Sequence, residues 1–337
     1  MRSAELDYEL PEGAIAQAPI EPRDAARLLV AGASGTGRHR RVADLPELVE
    51  PGTVVVVNET SVIPARIPVR RPGATDGEIL LLEPAADGWW QALCRPSRQL
   101  RAGAVVEASR GPLRLELGET LTGGRRLVRP VSDGPLAEAL AESGVTPLPP
   151  YIRAPLADPA RYQTVYARRP GSVAAPTAGL HLTPGVLDAL LAGGADVLAV
   201  ELVVGLDTFR PIDAELVEDH VIHTERYRVP ESVWSEVVAA RDAGRPVLAV
   251  GTTSVRALES VAATGELDGR TDLFITPGHR FAAVDRLLTN FHLPRSSLLA
   301  LVEAFVGPEW RALYREALDA GYRFLSFGDA SLLEVVR

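Results

Sequence analysis

The sequence predicts an α/β main domain interrupted by an inserted all-β, barrel-like domain, and three observations support this prediction. The chain has 337 residues, more than the roughly 100–200 residues of one ordinary domain. Helix and strand patterns alternate after about residue 150, as in α/β proteins. Residues 66–150 instead contain short apolar or alternating segments between Gly, Pro and Asp. We therefore expect residues 1–65 and 151–337 to form the α/β domain and residues 66–150 to form the insertion.

The composition limits the class of protein. With 46% hydrophobic and 23% charged residues, the chain matches a globular protein. No run approaches the ~18 apolar residues of a membrane helix, and the N-terminus lacks the apolar centre of a signal peptide. We therefore expect a cytoplasmic protein without membrane contact. The net charge of −9 disfavours binding of nucleic acid by bulk attraction, although a local basic face can still dock a structured RNA.

The N-terminal segments predict strands. "ARLLVAGASGTGRHRRV", residues 26–42, is typical of a hairpin with a Gly-rich turn. A phosphate cradle is disfavoured because no Gly-Lys-Ser/Thr follows the glycines. "GTVVVVNETSVIPARI" predicts a buried strand that runs into a polar turn at Asn58–Ser61.

The inserted region and the segments after it predict the rest of the fold. "GEILLLEP", "WWQALCRP", "GAVVEAS" and "LRLELG" are typical of short antiparallel strands. The single cysteine, Cys94, excludes an intrachain disulfide and a thiol cluster for zinc. Later, "TPGVLDALLAGG" and "PESVWSEVVAARDAG" predict helices, and "DVLAVELVVGL" and "PVLAV" predict strands. This alternation favours a mostly parallel sheet with helices against it.

Three polar turns precede predicted helices: "GTTSVRALES", "PTAGLHLTP" and "TNFHLPRSS". In open α/β sheets, ligands bind beyond the carboxyl ends of strands, where helix N–H groups and hydroxyls converge. The alternative is that these Thr and Ser residues only cap helices, with Thr183 as one such cap, and that the histidines belong to the core. A further segment, "TDLFITPGHRF", predicts a strand that enters a turn.

The segment "EDHVIHTERY" combines Asp219, His220, His223 and Glu225. Two histidines three residues apart could share a helical face and bind a metal, but the His-Glu-x-x-His pattern is absent. A histidine beside carboxylates is also a plausible general acid or base near neutral pH. From spacing alone, proton transfer and a solvated helix end are equally supported, and metal binding is less so. We expect no metal.

The chain resembles a known family along most of its length. The matching stretches include "YELPEGAIAQAPIEPRDAARLLV", "VVVNETSVIPARI", "RYQTVYARRPGSVAAPTAGLHLTP", "EDHVIHTERYRVP", "VGTTSVRALES" and "RLLTNFHLPRSSLLALVEAFVG". They run from about residue 7 to 333 in the order of the S-adenosylmethionine:tRNA ribosyltransferase-isomerases of queuosine biosynthesis. The sequence is identified as a member of this family.

The resemblance implies both a fold and a reaction. It implies an α/β domain built from both ends of the chain, with a barrel-like domain between them. It also implies transfer of the ribosyl part of S-adenosylmethionine to 7-aminomethyl-7-deazaguanine at a tRNA wobble position, followed by isomerisation. The products are epoxyqueuosine-tRNA, adenine and methionine, and S-adenosylmethionine is a substrate, so no cofactor is expected. We expect the protein to act as a monomer.

The resemblance also implies roles for particular residues. Asp219, His220, His223 and Glu225 are the proton-transfer candidates. A larger set is implied to hold S-adenosylmethionine or the rest of the substrate: Asn58, Arg66, Thr177, His181, Thr252, Thr253, Arg256, Asn290 and His292.

The chain departs from the family pattern at five positions. Ser61 replaces an arginine, Val203 a histidine and Asp207 a glycine, while His279 replaces a tyrosine and Ala26 a serine. These changes affect the expected acceptor more than the expected donor. Two alternatives are therefore a paralogue that uses S-adenosylmethionine on a small acceptor or cleaves it without tRNA, and a non-catalytic binding protein. The retained acid–base residues count against a binder.

Overall fold

The computed structural model describes residues 1–31, 37–70, 77–205 and 211–336. These residues group into two compact units by their contacts. The first comprises Met1–Thr60, Pro150–Arg169 and Ala175–Arg337, and the second Ser61–Pro149 and Pro170–Ala174. The division into domains at residues 65 and 150 stays a prediction, because compactness alone does not define a folding domain.

The regular elements alternate as the sequence indicates. The strands are β1 (Arg27–Ala31), β2 (Gly37–Arg41), β3 (Val54–Asn58), β4 (Thr60–Val62), β5 (Arg66–Arg70), β6 (Gly77–Pro84), β7 (Trp90–Arg95), β8 (Val105–Ala108), β9 (Arg114–Thr120), β10 (Arg125–Val131), β11 (Arg169–Ser172), β12 (Asp196–Leu202), β13 (Glu225–Arg228), β14 (Val247–Val250), β15 (Asp268–Thr271), β16 (Arg286–Asn290) and β17 (Ala330–Glu334). The α-helices are α1 (Leu45–Leu48), α2 (Leu136–Ser143), α3 (Pro184–Ala192), α4 (Glu231–Asp242), α5 (Thr252–Thr264), α6 (Ser297–Val306) and α7 (Trp310–Asp319).

In the described part of the chain, nine strands form one sheet in the order β15-β13-β12-β3-β14-β16-β17-β1-β2. The four strands β12, β3, β14 and β16 are parallel, whereas β13, β15, β17 and β2 each pair antiparallel to a neighbour. The sheet is therefore mixed: its four central strands have the expected parallel arrangement, and β1 is also parallel to β17. The predicted hairpin of β1 and β2 is confirmed, but residues 32–36 of its turn lie outside the described residues.

The central parallel strands lie in the core of the first unit. Val54 to Val57 of β3 are buried on both faces, as expected for a β-branched run covered by helices on both sides. Val55 and Val57 pack in one cluster with apolar residues of β14 and β16, among them Leu248 and Leu288. Because these strands run in the same direction, their carboxyl ends meet at one edge of the sheet, which is where α/β proteins bind ligands.

Helix ends follow the predicted capping chemistry. The Thr183 hydroxyl accepts a hydrogen bond from the Val186 N–H at 3.2 Å and begins α3. Ser296 caps α6 in the same way.

The strand expected in "TDLFITPGHRF" is wrong in extent, because β15 ends at Thr271 and the residues that follow it are irregular.

The second unit is a barrel. Strands β10, β7, β6, β5, β8 and β9 close on themselves, and neighbouring strands are antiparallel. Alternate side chains such as Ile67, Ile79 and Leu115 fill the interior. Burial raises the pKa of the Cys94 thiol to about 11, so Cys94 is a small core residue rather than a nucleophile.

The predicted class, an α/β unit with a barrel-like insertion, is confirmed. In the described part of the chain, every helix is too short or too polar to cross a membrane.

Candidate active site

Most of the predicted site residues lie at the carboxyl edge of the central strands. Asn58 ends β3, Asn290 ends β16, and Thr252 and Thr253 begin α5 directly after β14. His292 follows two residues after Asn290, and Thr177 and His181 belong to the short 3₁₀ helix Thr177–His181.

Asn290 joins three segments of this edge. Its Oδ1 accepts a hydrogen bond from the Thr177 hydroxyl at 2.9 Å, and its Nδ2 lies 3.0 Å from Nε2 of His181. Nδ2 also donates to the Leu325 carbonyl at 3.1 Å. All of these groups are buried or half-buried, so each bond is formed away from water and fixes the side chain that makes it.

Two histidines at this edge of the sheet, His181 and His292, are neutral near pH 7. Burial lowers the pKa of His181 to about 4, against an opposing effect of Asp329, and burial lowers the pKa of His292 to about 3. Nε2 of His292 lies 2.9 Å from the Thr289 hydroxyl, and the His292 carbonyl accepts from the Tyr8 hydroxyl at 2.5 Å. A neutral imidazole can orient a ligand by hydrogen bonds but is a weak base.

Two adjoining pockets open beside Asn290. The lining of the Asn290 pocket includes Tyr151, Phe291 and Ser326. The lining of the Thr252 pocket includes Val204 and Thr252. Both pockets are lined by Thr177, Asn290, His292 and Leu298. The pair forms a concave site with few, well-held polar groups, the usual character of a small-molecule site.

The N-terminus of α5 contributes to the Thr252 pocket. Gly251 precedes the helix with a φ of +88°, a conformation that favours glycine. The Thr253 side chain is 7% exposed, and its hydroxyl oxygen has no hydrogen-bond partner among the described residues. A helix N-terminus with an unsatisfied hydroxyl is suited to a polar or anionic ligand group.

A second cluster consists of His223, Glu225 and Arg256. Nε2 of His223 lies 3.1 Å from Oε1 of Glu225, and the other carboxylate oxygen accepts from Nη1 of Arg256. Glu225 and Arg256 are buried, with 4% and 6% of their surface exposed. Arg256 also donates to the carbonyls of Leu273 at 3.1 Å and Thr271 at 3.3 Å. The guanidinium is thus committed to Glu225 and the backbone.

The electrostatics of this cluster keep Glu225 ionised. Burial by itself would raise the pKa of Glu225, but the Arg256 guanidinium, followed by His223 and the Gly205 N–H, outweighs it and lowers the pKa from 4.5 to about 2. An ionised Glu225 accepts a hydrogen bond from His223 and so orients its ring. If Nε2 of a neutral His223 carries the proton toward Glu225, the basic lone pair is on Nδ1.

This pKa shift predicts a dependence of stability on pH. Because the pKa of Glu225 is lower in the folded protein, its interactions stabilise the fold above about pH 4.5 and are lost as the pH falls toward 2. We expect the difference in urea midpoint between wild type and Glu225→Gln to be constant above about pH 5.5 and to shrink between about pH 5 and pH 3. Urea titrations of both proteins at each pH measure it, and a difference that stays constant down to about pH 3 would contradict the assignment.

The two remaining proton-transfer candidates, Asp219 and His220, lie in the segment that precedes β13. Residues Val217–Asp219 form a 3₁₀ turn, and His220 to Thr224 are irregular before β13 begins. A helical face shared by His220 and His223 is therefore wrong as a geometry. The His220 ring packs edge-on against Phe274 at 5.7 Å, and burial lowers the pKa of His220. Asp219 is exposed.

The cluster and the pockets are joined by short stretches of backbone. Val204 lines the Thr252 pocket, and the next residue, Gly205, donates its N–H to Glu225 at 3.0 Å. Helix α5 begins in the pocket at Thr252 and carries Arg256 one turn later. The cluster of His223, Glu225 and Arg256 is thus connected, within one unit, to the edge of the Thr252 pocket.

Two predicted binding residues have other partners. The Asn58 amide donates to the Leu202 carbonyl at 2.9 Å and accepts from the Leu202 N–H at 3.2 Å, so it ties β3 to β12. Arg66 lies on β5 of the barrel, where its Nη1 is 2.8 Å from both oxygens of Glu78. Their predicted roles in binding stay predictions, and neither side chain lines the two pockets.

Other residues of the site were not predicted from the sequence. The Tyr151 hydroxyl, 2.7 Å from the Ser326 hydroxyl, lines the Asn290 pocket. Buried Glu259 accepts the N–H groups of Ala282 at 3.0 Å and Ala283 at 2.9 Å and holds the segment that follows His279. Glu259 could have been found from the sequence, because it lies three residues after Arg256 on the predicted helix. The residues around Tyr151 gave no comparable indication of a site.

Of the five departures from the family pattern, the four that the structure describes line neither of the two pockets. Val203 follows β12 and donates its backbone N–H to the Arg226 carbonyl at 2.8 Å. Ser61 lies in β4, Ala26 is fully buried, and His279 lies 3.4 Å from Glu259. Asp207 lies outside the described residues. In the part of the chain that the structure describes, no group of three or more His, Cys, Asp or Glu side chains is arranged to hold a metal ion.

The fold and these pockets define an α/β protein with a barrel insertion and a polar ligand site at the carboxyl edge of its sheet. A sequence model of the family described as "Queuosine biosynthesis protein" matches residues 3–333. The chain is 51% identical to the S-adenosylmethionine:tRNA ribosyltransferase-isomerase of Moorella thermoacetica, over 99% of this chain and 100% of that protein. The enzyme of the same name from Rubrobacter xylanophilus is also 51% identical, with 99% and 98% covered. The crystal structure of an S-adenosylmethionine tRNA ribosyltransferase from Thermotoga maritima superimposes with a TM-score of 0.56 and 34% identity, covering 97% and 99%. The chain belongs to the queuosine biosynthesis protein family.

Proposed function

We propose that this protein transfers the ribosyl part of S-adenosylmethionine to the aminomethyl group of 7-aminomethyl-7-deazaguanine in tRNA and isomerises it to the epoxycyclopentanediol of epoxyqueuosine. Adenine and methionine are the other products. The enzyme acts as a cytoplasmic monomer and takes S-adenosylmethionine as a substrate. Membership of the family supports the reaction class. The single observation that carries the assignment to this site is the cluster of half-buried His223 with buried Glu225 and Arg256 beside the Thr252 pocket.

The chemistry explains why such a site requires a base. The sulfonium of S-adenosylmethionine acidifies the ribose 5′ carbon, and removal of a proton there opens the ring by elimination. Adenine departs, leaving an aldehyde and a vinyl sulfonium. The acceptor amine adds to the vinyl sulfonium, the resulting ylide closes on the aldehyde, and the alkoxide expels methionine to form the epoxide. His223 is the base that this geometry favours, and Glu225 and Arg256 are positioning residues that act through it.

The two pockets accommodate the donor in this proposal. Thr252 and Thr253, at the start of α5, offer N–H groups and a hydroxyl to an anionic or polar group such as the methionine carboxylate. Asn290, with Thr177 and His181, offers an amide held in one orientation. Neutral His181 and His292 suit recognition of the ribose hydroxyls and adenine rather than proton removal.

Asn290→Ala is expected to weaken binding of S-adenosylmethionine by roughly tenfold, because one to two hydrogen bonds of about 1 kcal/mol each lose their partner. Isothermal titration of the donor in the absence of tRNA measures the change. Ser331→Ala is the control, since Ser331 is a buried polar residue of the neighbouring strand β17, its hydroxyl donates to the Thr289 carbonyl at 3.3 Å, and it lines neither pocket. Equal losses in both variants would contradict a ligand role for Asn290.

The dependence of adenine release on tRNA tests the proposed function against its alternatives. Release that requires tRNA carrying the aminomethyl base is expected. Release at the same rate without tRNA would favour a paralogue that uses a small acceptor or cleaves the donor alone. Absence of release with every acceptor would favour a binding protein.

A further inference from the structure

The connection between β7 and β8 of the barrel presents three arginines. Arg95, Arg98 and Arg101 are spaced three residues apart, and all three are exposed. Leu100, 1% exposed, anchors the segment in the barrel interior. Hydrogen bonds from the Gln99 N–H to the Pro96 carbonyl and from the Gly103 N–H to the Leu117 carbonyl fix its course. The arginines therefore extend from an ordered turn.

This segment has an unusual charge environment for an acidic protein. Residues 88–106 contain no Asp or Glu, although the whole chain carries a net charge of −9. In the described part of the barrel, neither Arg98 nor Arg101 has a carboxylate within 4.0 Å, whereas Arg129 pairs with Glu116 and Arg114 with Asp133. Across the β6–β7 ladder, Arg95 lies opposite Glu78. Arg98 and Arg101 are thus the uncompensated cations of this turn.

Unpaired cations held close together repel each other, and a partner with repeated negative charge relieves that repulsion. Arginine is suited to phosphate because its planar guanidinium can donate two parallel hydrogen bonds to phosphate oxygens. Val105, 60% exposed, lies at the end of the same turn and adds an apolar contact surface. A polyanion with regularly spaced charges matches this surface better than a single small anion.

We propose that the turn Arg95–Arg101 is a docking surface for the phosphate backbone of the RNA substrate. This inference rests on the proposed function, because it places the tRNA on the barrel as well as at the site of chemistry. The contact is with the backbone, so it strengthens binding without reading the base sequence.

The test is the salt dependence of tRNA binding by Arg98→Gln/Arg101→Gln. Each phosphate contact contributes about 0.7–0.9 to the slope of log affinity against log salt. The slope of the double variant is expected to be smaller than that of the wild type by roughly 1.5, so its binding defect should be roughly tenfold greater at about 50 mM than at about 200 mM salt. Fluorescence anisotropy of labelled tRNA measures both slopes.

The matched control is Arg114→Gln/Arg129→Gln, which removes two barrel arginines that already have carboxylate partners. Its slope should stay close to that of the wild type. Equal slopes for wild type and Arg98→Gln/Arg101→Gln, or the same reduction in the control, would overturn the docking surface. Unchanged melting temperatures exclude unfolding as the cause.

The docking surface and the proposed function can fail independently of each other. A wild type that modifies tRNA while the Arg98→Gln/Arg101→Gln slope is unchanged overturns the docking surface alone. A wild type without turnover overturns the proposed function, and the binding slopes still decide whether RNA contacts this turn.

Discussion

His223→Ala is expected to reduce turnover by roughly 10²- to 10⁴-fold, the usual contribution of a general base, while binding of S-adenosylmethionine stays near that of the wild type. The reason is geometric. His223 is held by a carboxylate at 3.1 Å, is 17% exposed, and does not line either pocket. Single-turnover adenine release and calorimetric donor binding measure the two quantities separately.

His220→Ala is the matched control for this prediction. His220 lies in the same segment, and its ring packs against Phe274. A much smaller loss of turnover is expected from its removal. If His223→Ala retains wild-type turnover, or if His220→Ala is the more damaging change, the assignment of His223 as base is wrong.

Arg256→Met is expected to destabilise the protein by about 3–5 kcal/mol, because it leaves the Glu225 carboxylate buried without its cation. The guanidinium also satisfies the Leu273 and Thr271 carbonyls, which lose a donor at the same time. At roughly 2–4 °C per kcal/mol for a large domain, the melting temperature should fall by about 10 °C. Differential scanning calorimetry at neutral pH measures the shift.

Two further variants test whether the unpaired buried charge of Glu225 causes the loss of stability. Arg241→Met removes an arginine whose partner Asp285 is 2.7 Å away but more exposed, so a smaller loss is expected. The double variant Arg256→Met/Glu225→Leu should recover part of the stability, because no uncompensated charge stays buried. A double variant less stable than Arg256→Met would contradict this account of the pair.

Much of the fold could be predicted because its signals are local. The hairpin of β1 and β2, the buried β3 run and the Thr183 cap of α3 follow from periodicity and capping rules that act within a few residues. The likeness to the queuosine family and the barrel insertion are likewise confirmed. The antiparallel flanks of the sheet were missed, since strand direction is set by connections rather than by composition.

The contacts of the site could not be predicted in the same way. Arg256 and Glu225 are 31 residues apart, and Asn290 and Thr177 are 113 apart, so neither pair has a pattern in the sequence. Family resemblance indicated Arg256 as a donor-binding residue, whereas its contacts favour a positioning role. Asn58 likewise holds two strands together. Only the folded geometry distinguishes a residue that contacts a ligand from one that supports its neighbour.

Of the residues in the segment "EDHVIHTERY", the structure brings together His223 and Glu225. His220 is nearby, since the charge of His223 contributes, after burial, to lowering the pKa of His220. Asp219 is exposed and ends a 3₁₀ turn, and its role in proton transfer stays a prediction. The proton-transfer proposal therefore centres on His223.

The central claim is that this site rearranges the ribosyl group on a tRNA base. The most direct measurement is mass spectrometry of nucleosides from tRNA carrying 7-aminomethyl-7-deazaguanine, after incubation with the protein and S-adenosylmethionine. The account predicts that the wobble nucleoside gains the mass of the epoxycyclopentanediol group, in step with released adenine and methionine. An unchanged wobble nucleoside in the presence of adenine release would contradict it.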